Sequence, residues 1–136
     1  MPQLAKKDSQ ALLGRFNGFN DAVIKSIDIS CSKSAARNVR FKILTRDEMA
    51  KERDGWSIVE LSLNEVGPFC FQEDVHTTAY DVLSNGLFIC WFTGNVGIEL
   101  GYLTSEPKSE LELTKSRLYA LGKTIEWDIK GDLELE

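Results

Sequence analysis

From Val23 onward the chain keeps returning to one pattern, short runs in which apolar and polar residues alternate strictly. Ile27, Ile29 and Cys31 alternate with Ser26, Asp28 and Ser30; Val39, Phe41 and Ile43 alternate with Arg40 and Lys42. A period of two places one set on one face of an extended strand, and a helix cannot use it. Strands are therefore predicted over Val23–Cys31, Asn38–Arg46 and Trp56–Val66, the last with Val59, Leu61 and Leu63 inward. The residues 32–38 make the first two a hairpin. Gly67-Pro68 bends the chain into a short strand, Phe69-Cys70-Phe71. Val82-Leu83, then Ser84-Asn85-Gly86, then Leu87–Phe92 predicts a second hairpin, because Asn-Gly supplies the positive φ of a tight turn. The unbroken apolar run Leu87–Phe92 predicts a central strand covered on both faces. Gly94-Asn95 leads into Val96–Tyr102, and Leu118–Leu121 and Thr124–Ile129, joined at Gly122-Lys123, read as a final pair.

Helical signals are few. Residues 8–15 read as a short helix capped by Asp8 or Ser9 and ended by Gly14 and Phe16-Asn17-Gly18. Ser109–Leu118 suits a strand or a short helix, its acidic start (Glu110, Glu112) and basic end (Lys115, Arg117) matching a helix dipole. Asp47–Asp54 is charged and aperiodic, which predicts a solvated connection. The expected fold is mainly β, α+β at most: a single antiparallel sheet system, a rolled sheet or sandwich, with one or two short helices. A chain of 136 residues, 43% hydrophobic, fits one domain over 1–136 with one core.

Several classes are excluded by the same reading. The longest apolar run, Leu87–Phe92, is about a third of a bilayer crossing, so no membrane span is expected. The N-terminus has no apolar stretch after Lys6-Lys7 and does not read as a secretory signal. The three cysteines, Cys31, Cys70 and Cys90, are odd in number, widely spaced and set in apolar runs. They are expected as buried small hydrophobes in a reducing, cytoplasmic setting, without a disulfide framework. No Cys-x-x-Cys accompanies the single His76, so no zinc site and no cofactor are expected.

Charge is distributed unevenly. Residues 1–53 carry eleven basic and six acidic residues, whereas residues 54–98 carry six acids and no Lys or Arg. Those acids are Asp54, Glu60, Glu65, Glu73, Asp74 and Asp81. Read as solvated groups near loop ends, they form a rim that attracts a basic protein and repels nucleic acid. Glu60, Glu65, Glu73, Asp74, His76 and Asp81 are accordingly the candidate partner-binding residues. The bland alternative pairs them with the basic N-terminal half of the same chain or of a second copy.

Asp74, His76 and Asp81 form the one grouping with an acid–base look, since His76 is the sole imidazole. Their spacing suits many loops, and a lone loop histidine is more often a surface residue. No nucleophile elbow, phosphate loop or helical carboxylate pair is present, so no catalytic residue is assigned. Trp91 is expected in the core; Trp56 and Trp127 suit either sheet packing or a binding anchor.

The segment Phe16-Asn17-Gly18-Phe19-Asn20-Asp21-Ala22-Val23-Ile24-Lys25-Ser26-Ile27 resembles the opening motif of small bacterial proteins grouped with immunity proteins of polymorphic toxin systems. That motif runs apolar-Phe-His-Asp-Ala-x-x-x-x-Ile into the first strand. Leu61–Phe69 and Gly97–Gly101 fit the same outline, while Asn20 departs from it by standing where the family has His. The resemblance implies a small cytoplasmic β-rich protein that neutralises a toxin by binding it, without chemistry. Acidic members often oppose basic nucleases. The motif residues Phe19, Asn20 and Asp21 are expected to be structural, with Asp21 in a turn that aims the strand.

The expected function is thus non-enzymatic binding of a protein partner, an immunity-like inhibition of a basic toxin. The alternatives are a small-ligand or hydrolase-like protein with a pocket near His76 and Asp81, and a structural homodimer.

Overall fold

Alternating strands of this kind bury one face each, and two sheets that share those faces satisfy all of them at once. The computed structural model describes residues 2–32, 36–50, 54–72 and 82–130. In chain order the elements are α1 (Ser9–Arg15), β1 (Ala22–Cys31), β2 (Arg37–Arg46), β3 (Trp56–Asn64), β4 (Phe69–Phe71), β5 (Val82–Leu83), β6 (Phe88–Phe92), β7 (Asn95–Glu99), α2 (Glu110–Leu113), β8 (Leu118–Gly122) and β9 (Thr124–Ile129). They form a five-stranded sheet of order β5-β1-β2-β3-β9 and a four-stranded sheet of order β4-β8-β7-β6, with every pairing antiparallel. The protein is mainly β.

The predicted inward positions lie in the shared core. Val39, Phe41 and Ile43 on β2 and Val59, Leu61 and Leu63 on β3 have no solvent exposure. They meet Ile89, Val96, Ile98, Leu118 and Ala120 of the other sheet in one cluster. Each such side chain contributes about 1.5–3 kcal/mol by leaving water. The far side of the smaller sheet has a second cluster of Cys90, Leu113, Tyr119 and Leu121, where α2 supplies Leu113. The Ser109–Leu118 segment therefore forms a short helix rather than a strand. Ser109 caps it by accepting from the Glu112 N–H at 3.1 Å, and Glu112 returns a bond to the Lys108 N–H at 3.0 Å.

Several sequence expectations are corrected. The Asn85-Gly86 turn does not close a hairpin: β5 pairs with β1 and β6 with β7, so the turn carries the chain from one sheet to the other. Likewise β8 and β9 belong to different sheets, and Gly122-Lys123 is a crossing rather than a hairpin turn. The Lys123 N–H donates to the Asn64 carbonyl at that corner. The run Leu87–Phe92 is not a central strand, since β6 stands at the end of its sheet's strand order. Its apolar residues divide instead between the two clusters, Ile89 and Trp91 on one side, Phe88, Cys90 and Phe92 on the other.

Ile29 and Cys31 were expected inward but are exposed, Ile29 at 44%. Neither α1 cap holds: the helix continues from a 3-10 turn at Lys6–Asp8, no side chain caps it, and Ser9 is buried. Of the connection Asp47–Asp54, residues 51–53 lie outside the described residues, and the part before them is not simply solvated, because Asp47 and Ala50 are buried.

Gly86, at φ 74°, lies against the backbone of the 17–19 turn, where the Leu87 N–H donates to the Gly18 carbonyl at 3.2 Å. A Cβ at Gly86 would overlap that carbonyl oxygen, whereas one at Gly94 (φ 76°) meets nothing. Gly94→Ala is expected to cost about 1 kcal/mol from φ strain alone, and Gly86→Ala clearly more, about 2–3 kcal/mol. Urea unfolding of the two variants checks the difference; equal losses would mean that the Gly18–Gly86 contact is not tight.

Candidate binding groove

The first residues of the chain run beside β9. The Leu4 N–H donates to the Ile125 carbonyl at 2.8 Å, the Trp127 N–H donates to the Pro2 carbonyl at 3.1 Å, and Gln3 bridges to Glu126. α1 then turns back across this corner, burying Leu12 and leading into the fully buried Phe16, whose ring meets Trp127 edge-on at 6.4 Å. Between α1, the N-terminal segment and β9 lies a groove of about 320 Å³. Its walls are apolar (Leu4, Ala11, Leu12, Met49 and Trp127), and Asp8 and Arg15 supply charge. Met49 is 72% exposed at its margin.

Arg15 and Met49 are both held by one buried carboxylate. Asp47 accepts from Arg15 Nε at 2.9 Å and Nη2 at 3.1 Å, from the Met49 N–H at 2.9 Å and from Ser57 Oγ at 2.6 Å. Its side chain has no solvent exposure, while that of Arg15 is 22% exposed. Burial alone pushes the Asp47 carboxyl up. The bonds from Arg15, Ser57 and the Met49 N–H, with the Arg15 charge, outweigh burial and hold it below its ordinary value of 3.8. The Arg15 guanidinium also lies 5.0 Å from the Phe16 ring centre.

Two other carboxylates are buried and met in different ways. Glu99 accepts from the N–H groups of Gly101, Tyr102 and Leu103 and from Ser116 Oγ, pinning the loop after β7. Glu60, a candidate partner residue, is only 2% exposed. Its register explains the correction: β3 sets it opposite Lys42 on β2 and Asp128 on β9, in mid-sheet. Arg40 Nε and Lys130 Nζ approach it at 3.7 and 4.0 Å, so its charge is met within the chain.

Of the remaining candidates, Glu65 is exposed just beyond β3, whereas Glu73, Asp74, His76 and Asp81 lie outside the described residues. Phe19 is fully buried and packs on Phe16 at 5.4 Å. Asn20 Nδ2 donates to the Asn17 carbonyl, and the Asp21 N–H donates to the Leu83 carbonyl. Asn17, Gly18, Phe19 and Asp21 all take positive φ, so this motif forms a tight turn between α1 and β1. Trp91 and Trp127 pack on the core, and Trp56 lies under the Arg46 guanidinium. Among the described residues no group of His, Cys, Asp and Glu is placed to hold a metal ion, and no helix is long and apolar enough to cross a membrane. Compared with protein-family models, characterised proteins and solved structures, the chain matches none.

Sequence reasoning missed Arg15 and Asp47. They lie 32 positions apart, and no local pattern marks such a pair. It also grouped three thiols that the structure separates: Cys31 is exposed, Cys70 half-buried and Cys90 buried. Burial, with Glu106 and Glu99 nearby, pushes Cys90 up to about 12. A chromogenic disulfide reagent at about pH 8 should therefore release one fast equivalent that Cys31→Ser removes, with Cys90 reacting only on unfolding. Fast reaction of Cys90 would contradict its burial.

The Asp47 shift also sets an acid dependence. A carboxyl whose folded pKa is depressed stabilises fully above its unfolded value and loses that contribution as pH falls through the folded one. Asp47→Asn is expected to cost about 2–4 kcal/mol at neutral pH. Between about pH 5 and pH 2, unfolding midpoints should fall more steeply for the wild type than for this variant. Parallel slopes would show that other carboxyls govern the acid limb.

Proposed function

We propose that this protein acts by binding another protein rather than by catalysis, in the manner of an immunity-like inhibitor in the cytoplasm. The observation that carries the reading is the groove, apolar along its walls and bordered by Trp127, Arg15 and the exposed Met49. These are residue types that protein interfaces favour. The cavity offers apolar side chains of a polypeptide a fit, and little polar surface to orient a metabolite. Arg15, the cationic side chain among the described residues that line it, already serves Asp47. The buried carboxylates support the same reading, since Asp47 and Glu99 are bonded by structural donors and Glu60 is ion-paired within the sheet.

The acidic rim takes a reduced part. Glu60 is withdrawn into the sheet, and Glu65 follows the end of β3 whereas Met49 precedes its start. A basic partner that also meets Glu73, Asp74 or Asp81 would gain association rate from those charges.

The test is capture of partners by tagged protein from its native cells at low salt, followed by reconstitution with the purified partner. Ala11→Glu and Met49→Glu, at exposed positions, should each weaken that complex at least about tenfold and leave the melting temperature unchanged. Loss of binding on reversing Asp74 and Asp81, with both groove variants binding normally, would move the interface to the acids. A preparation containing only a salt-sensitive dimer by light scattering would replace the partner with a second copy.

A further inference from the structure

The groove's two margins meet at one side chain. Arg15 closes α1 and Met49 belongs to the turn that follows β2, and Asp47 bonds both, with Ser57 of β3 behind it. The main chain adds one link, from the Glu48 N–H to the Arg15 carbonyl at 3.2 Å. We infer that Asp47 is a latch: its carboxylate holds α1 against the turn and so sets the width of the groove, and its release opens the groove without unfolding the two sheets.

The reason is the division of contacts. Strands β1, β2, β3 and β9 are held to one another by long antiparallel ladders, broken only by a register shift between Ile24 and Ser26 of β1, that involve no residue of α1. α1 attaches to that body through buried Leu12, through Phe16 at its end, whose carbonyl accepts from Thr45 Oγ1, through the Glu48 N–H bond to the Arg15 carbonyl and through the Arg15–Asp47 pair. A bidentate guanidinium–carboxylate pair fixes orientation as well as distance, so it decides where the helix rests on an apolar surface that would tolerate sliding. Ser57 and the Met49 N–H anchor the carboxylate to the sheet side, which makes Arg15 the releasable partner. A groove occupant able to compete for the guanidinium, such as one presenting a carboxylate, would then loosen α1 as it binds. This last consequence rests on the groove being the binding site; the latch itself does not.

The experiment is amide hydrogen exchange on Arg15→Gln, which leaves Asp47 bonded to Ser57 and Met49. Exchange is expected to speed up at least tenfold in residues 12–16 and 48–50, with β2 and β3 protected as in the wild type. A naphthalene-sulfonate dye that fluoresces in apolar surroundings should bind more strongly to the variant. Asp47→Asn provides the second variant and should give the same pattern at greater amplitude. Unchanged exchange in α1, or acceleration spread evenly through the strands, would overturn the latch. Because exchange is read without a partner, this outcome is independent of whether Ala11→Glu and Met49→Glu disturb partner binding.

Discussion

Everything in this fold is arranged around a strand buried on both faces. β3 lies between β2 and β9, and seven consecutive residues from Ser57 to Leu63 are shielded from water. One face offers Val59, Leu61 and Leu63 to the other sheet, which the hydrophobic effect favours directly. The opposite face sets Ile58, Glu60 and Ser62 among the side chains of its neighbours, and there the chain must answer a carboxylate in a desolvated position. It does so with Arg40 and Lys130, whose charged heads approach Glu60 at 3.7 and 4.0 Å.

The same need recurs at Asp47 and Glu99, and the answers differ. Glu99 is met by three successive backbone N–H groups and a hydroxyl, a pattern that fixes a loop. Asp47 is met from three separate elements, α1, the turn after β2 and β3 itself, a pattern that fixes elements relative to one another. A buried carboxylate left unbonded would carry a penalty of several kcal/mol, so these bonds are conditions of folding as much as gains in stability. Asp47 accepts two bonds on each oxygen, whereas Glu99 takes three on Oε2 and one on Oε1.

The strands themselves were legible because period-two alternation is a local signal. Val39, Phe41, Ile43, Val59, Leu61 and Leu63 all sit where that signal places them. Pairing was less legible. Asn85-Gly86 reads as a hairpin because positive φ is needed there, and φ is indeed 74° at Gly86, yet the turn serves a crossing between sheets. Turn chemistry fixes a local backbone angle and says nothing about which partner the next strand will find. The run Leu87–Phe92 misled for a related reason, since β6 at the end of its sheet is apolar on both faces when each faces a separate cluster. Glu60 shows the converse. Its sequence neighbours cannot reveal that β9, more than sixty residues later, will close over it.

The groove depends on these non-local facts throughout. Leu4 and Trp127 come together because the first residues pair beside β9, and Met49 joins them because Asp47 folds its turn under β3. Asp47 draws Arg15 from a helix 32 positions earlier. In this corner buried Leu4, Leu12 and Phe16 supply the apolar contact, and one ion pair and a few backbone bonds supply the orientation, where the sheets have long strand ladders. Segments held by few hydrogen bonds open more readily than paired strands. The Arg15–Asp47 pair and the apolar walls of the groove therefore belong to one corner, whose orientation is set by side-chain bonds rather than by strand pairing.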